Sequence, residues 1–137
     1  MTRRILIISD DEASRSLRGA LEGKGFDVTL TEDADRGYQQ MAGARFHLVV
    51  VNLDKAITGA GLIKRIRANS SLSELQVLTV AQWGTGQATI ALAQGADAFE
   101  PKPVEADRLV DAIERLLRPG MVMTARASAT NGDLEQA

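Results

Sequence analysis

The run Phe46-His47-Leu48-Val49-Val50-Val51-Asn52-Leu53-Asp54 decides how this chain folds. Its centre, Leu48 to Val51, is unbroken and apolar, with three consecutive valines and no polar alternation. β-branched side chains are crowded in a helix and fit a pleated strand. A strand that is apolar on both faces must be covered on both, as in a parallel sheet with helices on either side. The apolar run ends at Asn52, so an amide stands at the strand's carboxyl end, with Asp54 two residues on.

The same signature recurs outward from this strand. Ile5-Leu6-Ile7-Ile8 is a second continuous run, stopped by Ser9-Asp10-Asp11. Val28 and Leu30 mark another strand, Leu75 to Ala81 a fourth, and Ala98-Phe99 a short fifth. Helical spacing fills the gaps. Leu17 and Leu21 share a face between Ala13 and Gly23, and Gly23 and Gly25 end that helix. Asp33 or Asp35 caps a helix carrying Tyr38 and Met41. A Gly-rich loop, Thr58 to Gly61, precedes a helix with Leu62, Ile63 and Ile66. Gln87 to Gln94 is an Ala-rich helix ended by Gly95. From Val104 to Leu117, residues Leu109, Val110, Ile113, Leu116 and Leu117 form one stripe, and Pro119-Gly120 terminates it. Strand and helix thus alternate five times, which predicts an α/β fold with a doubly wound five-stranded parallel sheet. Residues 1–118 read as one domain. Residues 119–137 are small, polar and aperiodic beyond Thr124, and read as a flexible tail or a truncated linker.

Composition narrows the functions. The chain has 137 residues, 45% hydrophobic and 25% charged, the balance of a single soluble domain. A net charge of −2 argues against nucleic acid or an anionic membrane as partner. With no cysteine and one histidine, His47, thiol chemistry, disulfides and imidazole metal clusters are excluded. The apolar run after Arg3-Arg4 is too short for a signal-peptide core, so the expected location is the cytoplasm.

In open α/β sheets, ligands lie beyond the carboxyl ends of the strands. The residues there are Ser9, Asp10, Asp11 and Glu12 after strand one, and Asn52, Leu53 and Asp54 after strand three. Ala81, Gln82 and Trp83 follow strand four, and Glu100, Pro101, Lys102 and Pro103 follow strand five. An acidic cluster, an amide and a lysine converge on one edge. Asp11 and Glu12 serve equally well as helix caps that compensate the helix dipole, and Asp10 stands between the two roles.

Several of these segments resemble the receiver domain of response regulators, over about residues 3 to 118. Arg4 to Glu12 resembles the family's first strand and acidic turn, and Gly25-Phe26-Asp27-Val28 the entry to strand two. Phe46 to Leu53 resembles the strand that bears the phosphoacceptor. Gly95-Ala96-Asp97-Ala98-Phe99 with Lys102-Pro103 resembles the fifth strand and its lysine-proline end, the most specific of the matches. The resemblance implies the flavodoxin-like (βα)5 receiver topology. It also implies an aspartate that takes a phosphoryl group, with Mg²⁺ held by acidic residues, a lysine, and a Ser or Thr after strand four. An anionic nucleophile attacking an anionic donor needs a hard cation and a fixed ammonium.

Position by position, this chain departs from that pattern. Ser9 stands at the first acidic position and Asp10 at the second, with Asp11 one place later. Asn52 occupies the phosphoacceptor position, and Asp54 the position that supplies a backbone carbonyl. Ala81, or Val80 under a different loop count, replaces the hydroxyl. Lys102 is retained, and Phe99 stands at the switch aromatic position, where plain core filling is an equal reading. Asn52 is expected to hydrogen-bond Lys102 or the loop backbone. Trp83, in a loop with Gly84 and Gly86, reads either as a docking anchor or as a cover over the pocket.

The expectation is a degenerate receiver: no enzyme, no cofactor and no metal, acting on a protein partner independently of phosphorylation. The partner would be a histidine kinase, an output domain or a second copy, docked through the face from helix four to helix five. The alternative is a working, Mg²⁺-dependent receiver phosphorylated by a histidine kinase, with Asp54 as acceptor and Asp10 and Asp11 as metal ligands. A third class, a cofactor-binding flavodoxin-like domain, lacks a Gly-rich phosphate loop after strand one.

Overall fold

The computed structural model describes residues 2–9, 12–53, 56–82, 84, 86–102 and 104–118. The elements are β1 (Arg4–Ile8), α1 (Glu12–Gly23), β2 (Asp27–Thr31), α2 (Ala34–Gly43), β3 (Leu48–Asn52), α3 (Ala56–Ala68), β4 (Gln76–Gln82), α4 (Gln87–Ala93), β5 (Ala98–Lys102) and α5 (Ala106–Leu116). The strands form one parallel sheet in the order β2-β1-β3-β4-β5. The chain winds outward from β1 to β2, then returns to the other side of β1 with β3. The order therefore reverses between β1 and β3, and the crevice that positions a site opens at their carboxyl ends.

Strand periodicity sorts the core into two layers. Ile5, Ile7, Leu48, Val50, Leu78 and Val80 pack against Leu17 and Leu21 of α1 and Leu109, Val110 and Ile113 of α5. Leu6, Ile8, Val49, Val51, Val77 and Ala81 face the opposite way, onto Met41, Leu62, Ile63, Ile66 and Ala91. The central strand β3 is buried along its whole length, as its valine run requires. At Gly37 a Cβ would lie 2.5 Å from Ile8 Cδ1, so any larger residue there would force the Ile8 side chain to shift.

Four expectations shift. Thr58 to Gly61 is not a loop, because α3 begins at Ala56 and runs through both glycines. Each glycine costs a helix about 1 kcal/mol, but Leu62, Ile63 and Ile66 on the same helix are 0–1% exposed, and their burial outweighs that cost. Strand β5 extends to Lys102 through Pro101, which an edge strand tolerates. Strand β4 runs one residue past Ala81, so Gln82 belongs to it, and α5 starts at Ala106 after Glu105 rather than at Val104. Asp33 is the cap of α2, accepting from the Asp35 N–H, while Asp35 pairs with Arg65 at 2.8 Å. Residues 119–137 lie outside the described residues.

Candidate functional site at the carboxyl edge of the sheet

Three residues expected at the strand ends come together. Asn52 closes β3 and is 9% exposed, Ser9 follows β1 and is 7% exposed, and Lys102 closes β5 and is half-buried. The Lys102 ammonium reaches over β4 and donates to Asn52 Oδ1 at 2.9 Å. Asn52 Nδ2 donates to Ser9 Oγ at 3.0 Å. The orientation of the amide follows from the donors: an ammonium can only donate, so the amide oxygen faces Lys102 and the nitrogen faces Ser9. Ser9 is itself held in line with the sheet, its N–H donating to Thr31 O at 2.9 Å. This chain links the ends of β1, β3 and β5 through a neutral amide. It borders a cleft of about 520 Å³ on the α1/α5 side of the sheet.

Ala81 and Phe99 are elsewhere. Ala81 is fully buried in the opposite core layer beside Pro101, and Phe99 packs against that same layer. Thr79, paired with Phe99 across the sheet, turns its Oγ1 to donate to Ala98 O at 2.9 Å. Glu100 faces α5 and pairs with Arg108 at 3.0 Å. Asp10, Asp11, Asp54, Trp83 and Pro103 lie outside the described residues.

A hard divalent cation needs several anionic or carbonyl oxygens around it. The described strand ends offer a hydroxyl, an amide whose oxygen already takes an ammonium proton, and the ammonium itself. These three described side chains bring no carboxylate, and Asp10, Asp11 and Asp54 lie outside the described residues. Among the described residues no cluster of three or more His, Cys, Asp or Glu side chains could hold a metal.

Two polar clusters escaped the sequence reading. Arg67 of α3 donates to Gly95 O at 2.8 Å, to Leu75 O at 2.9 Å and to Asp97 Oδ2 at 2.6 Å. Asp97 Oδ2 also accepts from the Val77 N–H at 2.8 Å. This clamp ties α3 to the starts of β4 and β5. Gly95 sits at φ 116°, where a Cβ would lie 2.6 Å from Arg67 Cγ. The Gly95-Ala96-Asp97 segment carried a signal for it, but nothing local pointed to Arg67 as partner. The second is His47, whose Nδ1 accepts from the Arg4 N–H at 2.9 Å. Burial lowers the pKa of His47, and Arg3, Arg45 and Arg4 lower it further.

The family model of the response regulator receiver domain matches residues 5–114. The chain belongs to the response-regulator receiver family. This receiver is 35% identical over 119 residues to the transcriptional regulatory protein FixJ of Bradyrhizobium diazoefficiens, covering 83% of this chain and 56% of that protein. It is 31% identical over 120 residues to the response regulator MprA of Mycolicibacterium vanbaalenii, covering 86% and 52%. The chain thus spans about half the length of the curated relatives it matches. Among solved structures, an orphan response regulator of H. pylori superposes with TM-score 0.75 at 28% identity, covering 85% of this chain and 97% of that one. A response regulator from Chloroflexus aurantiacus, at 23% identity and TM-score 0.79, shares the fold over 85% of this chain and 98% of that one. The receiver belongs to two-component signalling, and its five-stranded parallel sheet is the receiver fold.

Proposed function

We propose that this receiver acts as a phosphorylation-independent protein-interaction module. The observation that carries the reading is the 2.9 Å bond from Lys102 to the Asn52 amide oxygen. Phosphoryl transfer to a receiver needs an anionic oxygen at the end of β3. A carboxamide oxygen carries no full charge and attacks a phosphoryl group poorly. Here it serves instead as a neutral acceptor for the lysine, and Ala81 brings no hydroxyl to bind a phosphoryl oxygen. The ammonium thus has a partner without phosphate.

The docking face proposed is α4-β5-α5, where Ile90 and Leu92 of α4 are 47% and 48% exposed. The partner is a protein: a histidine kinase, an output domain or a second copy. A net charge of −2 weighs against nucleic acid, and no helix among the described residues is long and apolar enough to cross a membrane. Residues 1–118 form the interaction unit and 119–137 a tail or linker, with the cytoplasm as the site of action. The test is beryllofluoride with Mg²⁺, followed by amide chemical shifts of the labelled protein. The expected result is no saturable shift at Ser9, Asn52, Ala81 or Lys102. A saturable shift at these amides would mean that a carboxylate nearby, Asp54 foremost, accepts the phosphoryl analogue.

A further inference from the structure

The amino ends of the strands form the edge opposite Asn52 and Lys102, and there the chain concentrates positive charge. Arg3 and Arg4 stand at the start of β1, and Arg45 and His47 just before β3. Strands β1 and β3 are paired neighbours, so the four residues share one patch. Arg4 is built into the fold: its guanidinium lies 4.7 Å over the Phe46 ring, donates to Arg45 O at 3.2 Å and stands 3.5 Å from the Asp27 carboxylate. The other two guanidiniums are not matched by acids. Arg3 donates to Leu117 O at 3.0 Å, past the end of α5, and no acid among the described residues pairs with it. The Arg45 side chain is exposed and has no partner among the described residues.

His47 adds a donor with a fixed direction. Its Nδ1 accepts from the Arg4 N–H at 2.9 Å, so in the neutral ring the proton stands on Nε2. The His47 N–H donates back to Arg4 O at 2.8 Å, which holds the ring against β1 in that tautomer. No described residue accepts from the Nε2–H. Burial lowers the pKa of His47, and Arg3, Arg45 and Arg4 lower it further, so the field at the ring is positive and suits an anion.

We infer that this edge docks an acidic segment of a protein partner, its carboxylates on Arg3 and Arg45 and on the His47 Nε2–H. A guanidinium presents paired N–H donors that match a carboxylate. The charge pattern favours a short acidic segment over nucleic acid. Asp27, its side chain 57% exposed, stands at the margin of the patch beside Arg4. A nucleic-acid backbone carries closely and regularly spaced phosphates and would run across that carboxylate, whereas an acidic segment can place its carboxylates on either side of it. This edge is separate from Asn52 and Lys102, so the inference holds whether or not a phosphoryl group is taken up there.

The test uses the full chain, isotopically labelled, titrated at low salt with octaglutamate and, separately, with a DNA duplex of the same charge. The ligand-free protein is also followed over a dilution series. Octaglutamate should give saturable shifts at the Arg3, Arg4, Arg45 and His47 amides and at the imidazole protons, with the Asn52 and Lys102 amides unmoved. Raising the ionic strength from about 0.02 M to about 0.3 M should weaken binding about five-fold or more, because exposed charges are screened. Arg45→Gln should weaken it about three-fold, the worth of one exposed ion pair. Lys64→Gln, the same loss of charge at an exposed position of α3, should leave it unchanged. The map of shifts on the unaltered protein stands whether or not the variants fold. Absence of saturable shifts at this edge, or equal effects of Arg45→Gln and Lys64→Gln, would overturn the inference. Tighter binding of the duplex at the same amides would assign the edge to nucleic acid instead, and shifts there on dilution alone would assign it to a second copy of this chain; either result overturns the acidic-partner reading.

Discussion

Replacing Lys102 with methionine removes the ammonium and keeps a stem of similar length. The loss includes the donor to Asn52 Oδ1 at 2.9 Å, in a site where Asn52 is only 9% exposed and water substitutes poorly. A hydrogen bond to a charged group contributes about 1.5–3 kcal/mol net. Because Lys102 is half-buried and keeps some of its hydration, the lower part of that range applies, about 1.5–2 kcal/mol. For a domain of this size about 4 °C of melting temperature accompanies each kcal/mol, so Tm should fall by about 6–8 °C. The assay is thermal unfolding of four proteins: the parent, Lys102→Met, Asn52→Ala and the double variant. If the pair interacts as described, Lys102→Met in the Asn52→Ala background should cost less than about 0.5 kcal/mol. An amide does not titrate, so the coupling should be constant between about pH 5 and pH 8. A Tm unchanged by Lys102→Met, or the same loss with and without Asn52, would refute the reasoning.

Asp97→Ala should cost about 3 kcal/mol or more, because it leaves the Arg67 guanidinium, 20% exposed, and the buried Val77 N–H without the carboxylate that serves both. Denaturant unfolding measures this, and a loss below about 1 kcal/mol would mean that the clamp contributes little. Stability should also fall on mild acidification because of His47. Its folded pKa is lowered from the ordinary 6.5, so the unfolded chain takes the proton first and stability drops as pH falls from about 6.5 through the folded pKa. The contribution is complete above that window, and His47→Gln should flatten the decline measured between about pH 7.5 and pH 5. If the strand ends hold no metal, as the proposed function requires, millimolar Mg²⁺ should raise Tm by no more than about 1 °C. A marked rise would show that Asp10, Asp11 or Asp54 holds the ion.

The sheet was readable because its strands are short, β-branched runs that alternate with helical spacing. Ile5 to Ile8 and Leu48 to Val51 could be little else. The start of α3 was not readable. Thr58, Gly59 and Gly61 favour a loop locally, and only the burial of Leu62, Ile63 and Ile66 against the sheet overrides them. The length of β5 was hidden in the same way. Glu100-Pro101 looks like the end of a strand, and only its place at the sheet edge lets the proline stay.

At the site, Asn52 and Lys102 were legible as neighbours because both follow apolar strand runs and both stand at matched positions of the receiver pattern. Ser9 was legible as a position but not as the acceptor of the amide N–H, which depends on how the ammonium turns the amide. The cleft was not legible. It is lined from α1 by Ser14 and Leu17 and from α5 by Ala106 and Leu109, and only the approach of α1 to α5 brings these distant segments together.

The central claim is that the end of β3 carries a structural amide and that no phosphoryl group is taken up at this edge. It is tested most directly by incubating the full chain with acetyl phosphate and Mg²⁺ and recording its intact mass over time. The account predicts an unchanged mass after long incubation, with Asn52→Ala behaving the same. A stoichiometric gain of one phosphoryl group, lost on substitution of Asp54, would contradict it and make this a working receiver.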